Sequence, residues 1–591
     1  MAVGLGAGLV AAGALAFFGF ARTAYACGGT FCDNGAAAMP VDQTGENILF
    51  VAGDGFVEAH IQIQYDPETS AERFAWVVPV MSMPELSVGS QSFFTALGTA
   101  TAPAYGFNTT SEPCPFGDDG DDPCANDDDG DEDIKLDLGG SDGPSDPEVV
   151  ARQIVGAFEM FVLDGGTAEG VMQWLDTNGF AQDPAAEPIL AEYLEEGAMF
   201  VAFKLAPNAD ASEVHPVTLR YAGDEPCVPI RLTRIAAVDD MAIRTYFLGD
   251  ARTVPENYLH VDLNPLRLDF VNRADNYLEV VTQAIDEAGG QAWVTEYAGG
   301  SEVVAPESIT EATWDSDAFL RQTAYATVLE VIDRGWVQCG GPECTWVSPL
   351  LEGILTSRLA IPEGVDPDEV WLCPECYAEQ LGDGRWDADA FVAELHERII
   401  DPAQHAHGLL LQYPSLTRLL TTLSPHEMTR DPLFVQNPDL PDVSKTQEVG
   451  RWHSFCDGVQ SFNLPDGRLV AMPSSVWPDI EPDLMPFAAR VEQMVAAGAP
   501  QLVTDNAELI DGFLARFNEL NGARPPVDTA CGDDTGGTSD GGGPGIGTMG
   551  PNLADDRTEG CACTSVPQRL PTVVWSALAL MLGLGARRRR P

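Results

Sequence analysis

The sequence predicts an α+β fold: antiparallel strands and helices in an irregular order, with a disordered acidic insertion and a Gly-rich C-terminal linker. Three observations carry this expectation. The stretch Phe56-Val-Glu-Ala-His-Ile-Gln-Ile-Gln-Tyr65 alternates apolar and polar residues with the period of two that a half-buried strand requires. Residues 275–288 instead have helical spacing and end at Gly289-Gly290, where a helix C-cap prefers glycine. Between such segments there is neither a regular strand-helix alternation nor a repeat of fixed period, which sets the chain apart from parallel α/β folds and solenoids.

Taken in order, residues 1–26 read as a signal peptide. A long apolar run from Val3 to Phe20 precedes Ala24-Tyr-Ala26, the small-x-small pattern of a signal peptidase site, and cleavage after Ala26 leaves Cys27 at the mature N-terminus. Residues 27–110 form a β-rich part of the ectodomain, in which 56–65 and the buried-strand run Phe74-Ala-Trp-Val-Val-Pro-Val80 are expected to pair as a hairpin across Asp66-Pro67. Residues 111–147 are an acidic insertion; between Gly117 and Asp133, 10 of 17 positions are acidic, which leaves nothing to bury. Residues 148–300 complete an α+β domain. There 147–163 and 167–178 read as helices, with Asp146 and Pro147 as N-cap and first helical residue, and strands are expected at 198–205, 216–221, 228–235 and 242–248. Residues 301–530 read as mainly helical, and 531–560 as a Gly/Asp-rich flexible linker. The tail, 561–591, holds Cys561 and Cys563, an uncharged segment at 570–586 and then Arg587 to Arg590. As a helix that segment spans about 25 Å, the short edge of a bilayer crossing, and the arginines favour a cytoplasmic end.

Asp and Glu outnumber Lys and Arg by 91 to 31, a formal charge of -60. Such a chain repels phosphate backbones, so nucleic acid is excluded as a partner. The expected partner is the membrane itself, through the C-terminal tail or a lipid anchor.

Few residues suggest chemistry. The local cysteine pairs Cys27 with Cys32, Cys114 with Cys124, Cys339 with Cys344 and Cys373 with Cys376 are expected as disulfides in an oxidising compartment, with Cys227, Cys456 and Cys531 left to be arranged. Cys339, Cys344, Cys373 and Cys376 also have the spacing of a four-thiolate zinc site, with which oxidation competes. The one histidine cluster is His405-Ala-His407, near His396 and Asp401; two imidazoles two residues apart share one face of a strand, as a metal site can use. Calcium on the acidic run is the other open cation, although no EF-hand register fits. No cofactor is expected and no catalytic residue stands out. The sequences Gly537-Thr-Ser-Asp-Gly541 and Gly545-Ile-Gly-Thr-Met-Gly550 mimic a nucleophile elbow and a dinucleotide loop but fall in the linker, without the flanking strand and helix.

Two resemblances add to this. The cysteines, short apolar segment and arginine terminus of the last 31 residues resemble the MYXO-CTERM sorting tail of myxobacterial surface proteins, which implies processing or anchoring near Cys561 or Cys563. Cys27-Gly-Gly, Pro40-Val-Asp-Gln43, Phe74-Ala-Trp-Val-Val-Pro79, Trp174-Leu-Asp-Thr-Asn-Gly179 and Ala292-Trp-Val-Thr-Glu-Tyr297, in order over roughly residues 27–300, resemble domain-of-unknown-function family 2330. That resemblance implies export and a shared fold, and it carries no activity. The chain is therefore expected to be an exported protein of the cell envelope or outer surface, held by its tail, whose ectodomain binds or builds. The alternative is an extracellular hydrolase or metal-dependent enzyme whose groups are gathered only by folding.

Overall fold

The alternation at Phe56–Tyr65 puts Val57, Ala59 and Ile61 on one face and Glu58, His60 and Gln62 on the other, and this division organises the molecule. The computed structural model describes residues 43–523, apart from 54, 66–74, 113–146, 181–182, 207–213, 224, 311–313, 342, 382–385, 455–459, 474–475, 479 and 482–483. Residues 1–42, expected to hold a signal peptide, nearly all of the acidic insertion, and residues 524–591, expected to hold a linker and tail, lie outside the described residues, and with them Ala26, Cys27, Cys32, Cys114, Cys124, Cys456, Cys531, Cys561 and Cys563. Among the described residues no helix is long and apolar enough to cross a membrane.

A ten-stranded sheet runs in the order Gln501–Asp505, Ala488–Gln493, Leu259–Leu263, Ala292–Gly300, Ser415–Leu423, Ala237–Gly249, Gln43–Gly53, Phe56–Tyr65, Val217–Ala222, Glu85–Val88. Its pairs are antiparallel except Gln43–Gly53 with Ala237–Gly249 and Leu259–Leu263 with Ala292–Gly300. The apolar face packs on a second, four-stranded antiparallel sheet, Ala75–Val80, Met199–Leu205, Phe158–Asp164 and Glu148–Val155. Ile48, Phe50, Val57 and Phe247 from the first sheet meet Trp76, Phe158 and Phe203 from the second. Each such side chain contributes about 1.5–3 kcal/mol by leaving water. The opposite face is covered by the helices Gln91–Thr101 and Asp401–Gln412, which bury Phe93, Leu97, Ala406 and Leu410 against Leu49, Val51 and Tyr246. Ser90 caps the first of these, its hydroxyl accepting from the Phe93 N–H.

The α+β class holds, and the element order corrects several expectations. The strands Phe56–Tyr65 and Ala75–Val80 exist but do not pair; the second crosses to the other sheet beside Met199–Leu205. Residues 147–163 are a hairpin, Glu148–Val155 with Phe158–Asp164, instead of a helix. Their Val, Ile and Phe residues fit a pleated surface, and the turn needs Gly156, whose φ is +58° and where a Cβ would sit 2.1 Å from His215 Nε2. The segment expected as a strand at 228–235 holds the short helix Ile230–Thr233. The expected helices at 167–178 and 275–288 appear as Ala168–Thr177 and Tyr277–Glu287.

Residues 301–412 are largely helical, as expected, but 415–505 return to strands. The helical part is an excursion between two adjacent strands of the main sheet, Ala292–Gly300 and Ser415–Leu423, with its own core of Phe319, Trp336, Ile354 and Phe391. A further four-stranded sheet joins Ala104–Glu112 to Thr446–Ser454, Gln460–Asn463 and Leu469–Ala471 and packs with the helix Ala507–Asn521. The main sheet thus needs both halves of the chain.

Candidate functional site

Glu58 and His60 sit two apart on one strand, so both point from the helix-covered face of the sheet. Their cross-strand neighbours on Val217–Ala222 are Arg220 and Thr218. Arg220 Nη1 donates to Glu58 Oε2 at 3.0 Å, His60 Nε2 lies 2.9 Å from Glu58 Oε1, and Thr218 Oγ1 is 3.1 Å from His60 Nδ1. From the covering helix, His405 Nε2 reaches the same Glu58 Oε1 at 2.5 Å. The two imidazoles lie nearly parallel, 5.9 Å apart, and the edge of Phe93 closes over His60. Glu58 and His60 are buried, whereas the His405 side chain is 49% exposed and borders a cleft of about 410 Å³ shared with His396, Glu397 and Asp401.

Burial by itself would raise the Glu58 carboxyl. The hydrogen bonds and charges of His405 and His60 outweigh it and hold the group below the usual carboxylate range. In return, the bond to Glu58 lifts His405 above the ordinary imidazole value against the opposing pull of burial.

His407 takes no part, which corrects the strand-based expectation for His405 and His407. They lie on the helix Asp401–Gln412, where two residues turn roughly 200° about the axis and send the side chains to opposite sides. Glu58 and His60 were not singled out in the sequence. Their alternation was visible, but His405 is 347 positions away from Glu58 and nothing local links them.

His396 opens a π-helical turn, His396–Ile400, and is bracketed by Ser316 Oγ at 2.8 Å on Nε2 and Asp401 Oδ1 at 3.0 Å on Nδ1. This row has the spacing of a nucleophile, base and orienting acid, but the burial is reversed: Ser316 is enclosed and Asp401 open to water. It ties the turn Ser316–Phe319 to the helix that carries His405. The four cysteines weighed for zinc form two disulfides, Cys339 with Cys344 and Cys373 with Cys376, so in this state they offer no thiolate. Cys227 is free, and burial drives its thiol up, away from reactivity at neutral pH.

At the other end of the main sheet lies a cavity of about 540 Å³, between strands Leu259–Leu263 and Ala292–Gly300 and the segments 443–447 and 465–468. Its apolar wall includes Leu263, Leu268, Phe270 and Val294, with the rings of Tyr105 and Tyr277 standing 5.5 Å apart. A β-bulge at Thr295/Tyr297 re-aims Glu296, whose Oε2 accepts from Arg418 Nε at 2.5 Å with both side chains buried. Arg418 also donates to the Gly98 carbonyl. Burial, then the Glu296 charge, pushes both phenols up, so Tyr105 and Tyr277 remain hydrogen-bond donors. Two rim cations have acidic partners, Arg490 with Asp262 at 3.2 Å and Arg468 with Asp511 at 2.7 Å, whereas Lys445 Nζ donates to the neutral Ala100 carbonyl.

No curated protein and no solved structure matches the chain. A family model does, over residues 22–405. The match extends past residue 300 and takes in the acidic insertion, most of the helical excursion and His405 itself. Glu58, His60, Thr218, Arg220 and His405 thus all fall inside it, whereas one wall of the large cavity, 443–507, is built by residues beyond it. The chain belongs to the DUF2330 family of uncharacterized proteins conserved in bacteria.

Proposed function

We propose that this is an exported, envelope-anchored binding ectodomain whose ligand is a neutral, amphipathic small molecule held in the cavity beside Glu296. The cavity itself carries the reading. Its volume suits a small ligand, its walls are aliphatic and aromatic, and the phenol of Tyr105, backed by Tyr277 on Glu296, supplies a polar contact that fixes orientation. A neutral ligand is favoured because Glu296 is already matched by Arg418, Arg468 by Asp511 and Arg490 by Asp262, while the lining ions Lys445 and Asp505 are of opposite sign and add no net charge. The leader at 1–26 and the tail at 561–591 support export and anchoring, and the disulfides suit an oxidising compartment.

Nile red, a neutral aromatic dye, tests the reading. The protein is expected to bind it saturably with a rise in dye emission, and to show a change in the fluorescence of Trp477, which packs 5.3 Å from Phe270. Leu268→Trp fills the cavity and is expected to weaken the dye at least about tenfold, equivalent to about 1.4 kcal/mol. Binding unaffected by Leu268→Trp places the dye elsewhere and refutes the assignment.

A further inference from the structure

We infer that Glu58, His60 and His405 form a binding site for one divalent transition-metal ion of the zinc class, open on its fourth side to the cleft beside His405. The site lies on strands at the far end of the main sheet from the cavity, so it stands or falls separately from the ligand reading.

Four observations converge. The ligating atoms of the three side chains lie within 4.8 Å of one another, and they are the group of this kind among the described residues. Two imidazoles and one carboxylate are the donor set of open zinc sites, which use three protein ligands and leave a position for water or substrate. The supporting contacts are also those a metal site needs. Thr218 Oγ1 engages His60 Nδ1, which directs Nε2 as the ligand atom, and Arg220 occupies Glu58 Oε2, which leaves Oε1 as the single coordinating oxygen. Finally, Glu58 and His60 are buried while His405 borders the 410 Å³ cleft, so the site combines a rigid floor with a path for entry.

In the metal-free chain, hydrogen bonds from His60 Nε2 and His405 Nε2 to Glu58 Oε1 fill the place of the ion. Binding replaces these hydrogen bonds with metal-ligand bonds at about 2.0–2.2 Å: a neutral imidazole moves its proton from Nε2 to Nδ1, where His60 then donates to Thr218, and an imidazolium releases one proton to solvent. A hard ion such as calcium seeks six or more oxygens and finds one here, so the set selects against it.

The mature chain, with its disulfides intact and stripped by a chelator, is to be titrated with Zn²⁺ in competition with a chromophoric chelator. Co²⁺ serves as the spectroscopic probe. One Zn²⁺ per chain is expected, with Co²⁺ giving the intense visible bands of a four-coordinate nitrogen-containing site, and affinity falling between pH 7.5 and 5.5. His405→Ala removes the accessible ligand without opening the core, and is expected to lower Zn²⁺ affinity at least about 100-fold. Thr218→Val, acting through His60, is expected to lower it about tenfold. Far-UV circular dichroism and melting of both variants establish that they are folded; His60→Ala, inside the core, is not used for that reason. Absence of stoichiometric Zn²⁺ binding overturns the inference. So does binding that His405→Ala leaves unchanged, which would assign the ion to acidic residues elsewhere.

Discussion

The two faces of the main sheet bury carboxylates in opposite ways. On the helix-covered face, Glu58 is surrounded by Arg220, His60 and His405, and Glu296 is paired with Arg418, so donors replace the water each carboxyl group lost. On the face toward the second sheet, Glu46 shares the side of Ile48 and Phe50, is fully buried, and its Oε2 has no hydrogen-bond partner. Burial pushes its carboxyl up to about 7. The difference teaches that the cost of a buried acid is set by its partners more than by its depth. It also separates a face whose acids are held by donors from a face built for cohesion.

The sharpest way to break the contrast is to remove a partner. Arg418→Met leaves Glu296 buried and uncompensated, and urea unfolding is expected to show a loss of about 3–5 kcal/mol, whereas the double variant Glu296→Gln/Arg418→Met recovers much of it. A double variant no better than the single would mean that Arg418 acts through its contacts to Gly98 and Thr101 instead of through the charge pair.

The second prediction runs in the opposite direction. Below pH 4.5 both folded and unfolded chains keep the Glu46 proton; as pH rises toward 7 the unfolded chain ionises first, so stability drains away and the full loss is present above pH 7. Glu46→Gln is therefore expected to stabilise the protein at pH 8 by about 3 kcal/mol and to have little effect at pH 4. Glu58 has the reverse slope: its lowered carboxyl contributes stability above the ordinary carboxylate range and loses it on acidification. Equal effects of Glu46→Gln at both pH values would remove the distinction between the faces.

Two smaller tests address how the two faces are tied in place. Gly156→Ala forces an L-residue to a φ of +58° and a Cβ into His215, and a loss of about 2 kcal/mol is expected by thermal melting. Ser316→Ala removes one hydrogen bond to His396 and is expected to cost about 1 kcal/mol. A fluorophosphonate probe should leave Ser316 unlabelled; covalent labelling would restore the serine-hydrolase alternative.

How much of this was legible in the residues depends on distance along the chain. The strand Phe56–Tyr65 and the helices Ala168–Thr177 and Tyr277–Glu287 could be read because period, caps and glycine stops are written within a dozen residues. At Glu148–Val155 and Phe158–Asp164 the pair Asp146-Pro147 imitates a helix start, but the packing of Phe158, Phe161 and Val162 between layers makes a hairpin instead. For the candidate site the sequence offered His405, with a wrong companion in His407.

By itself, then, the sequence determined the α+β class, the two-sided character of Phe56–Tyr65 and the family kinship. Tertiary structure alone decided that Ala75–Val80 leaves its neighbour for another sheet, that a helical excursion interrupts two adjacent strands, and that Glu58 meets a histidine 347 residues away. The reason is physical: hydrogen-bond periodicity and capping act over a few residues, whereas partners for a buried charge are chosen when distant segments compete to exclude water from the same surface.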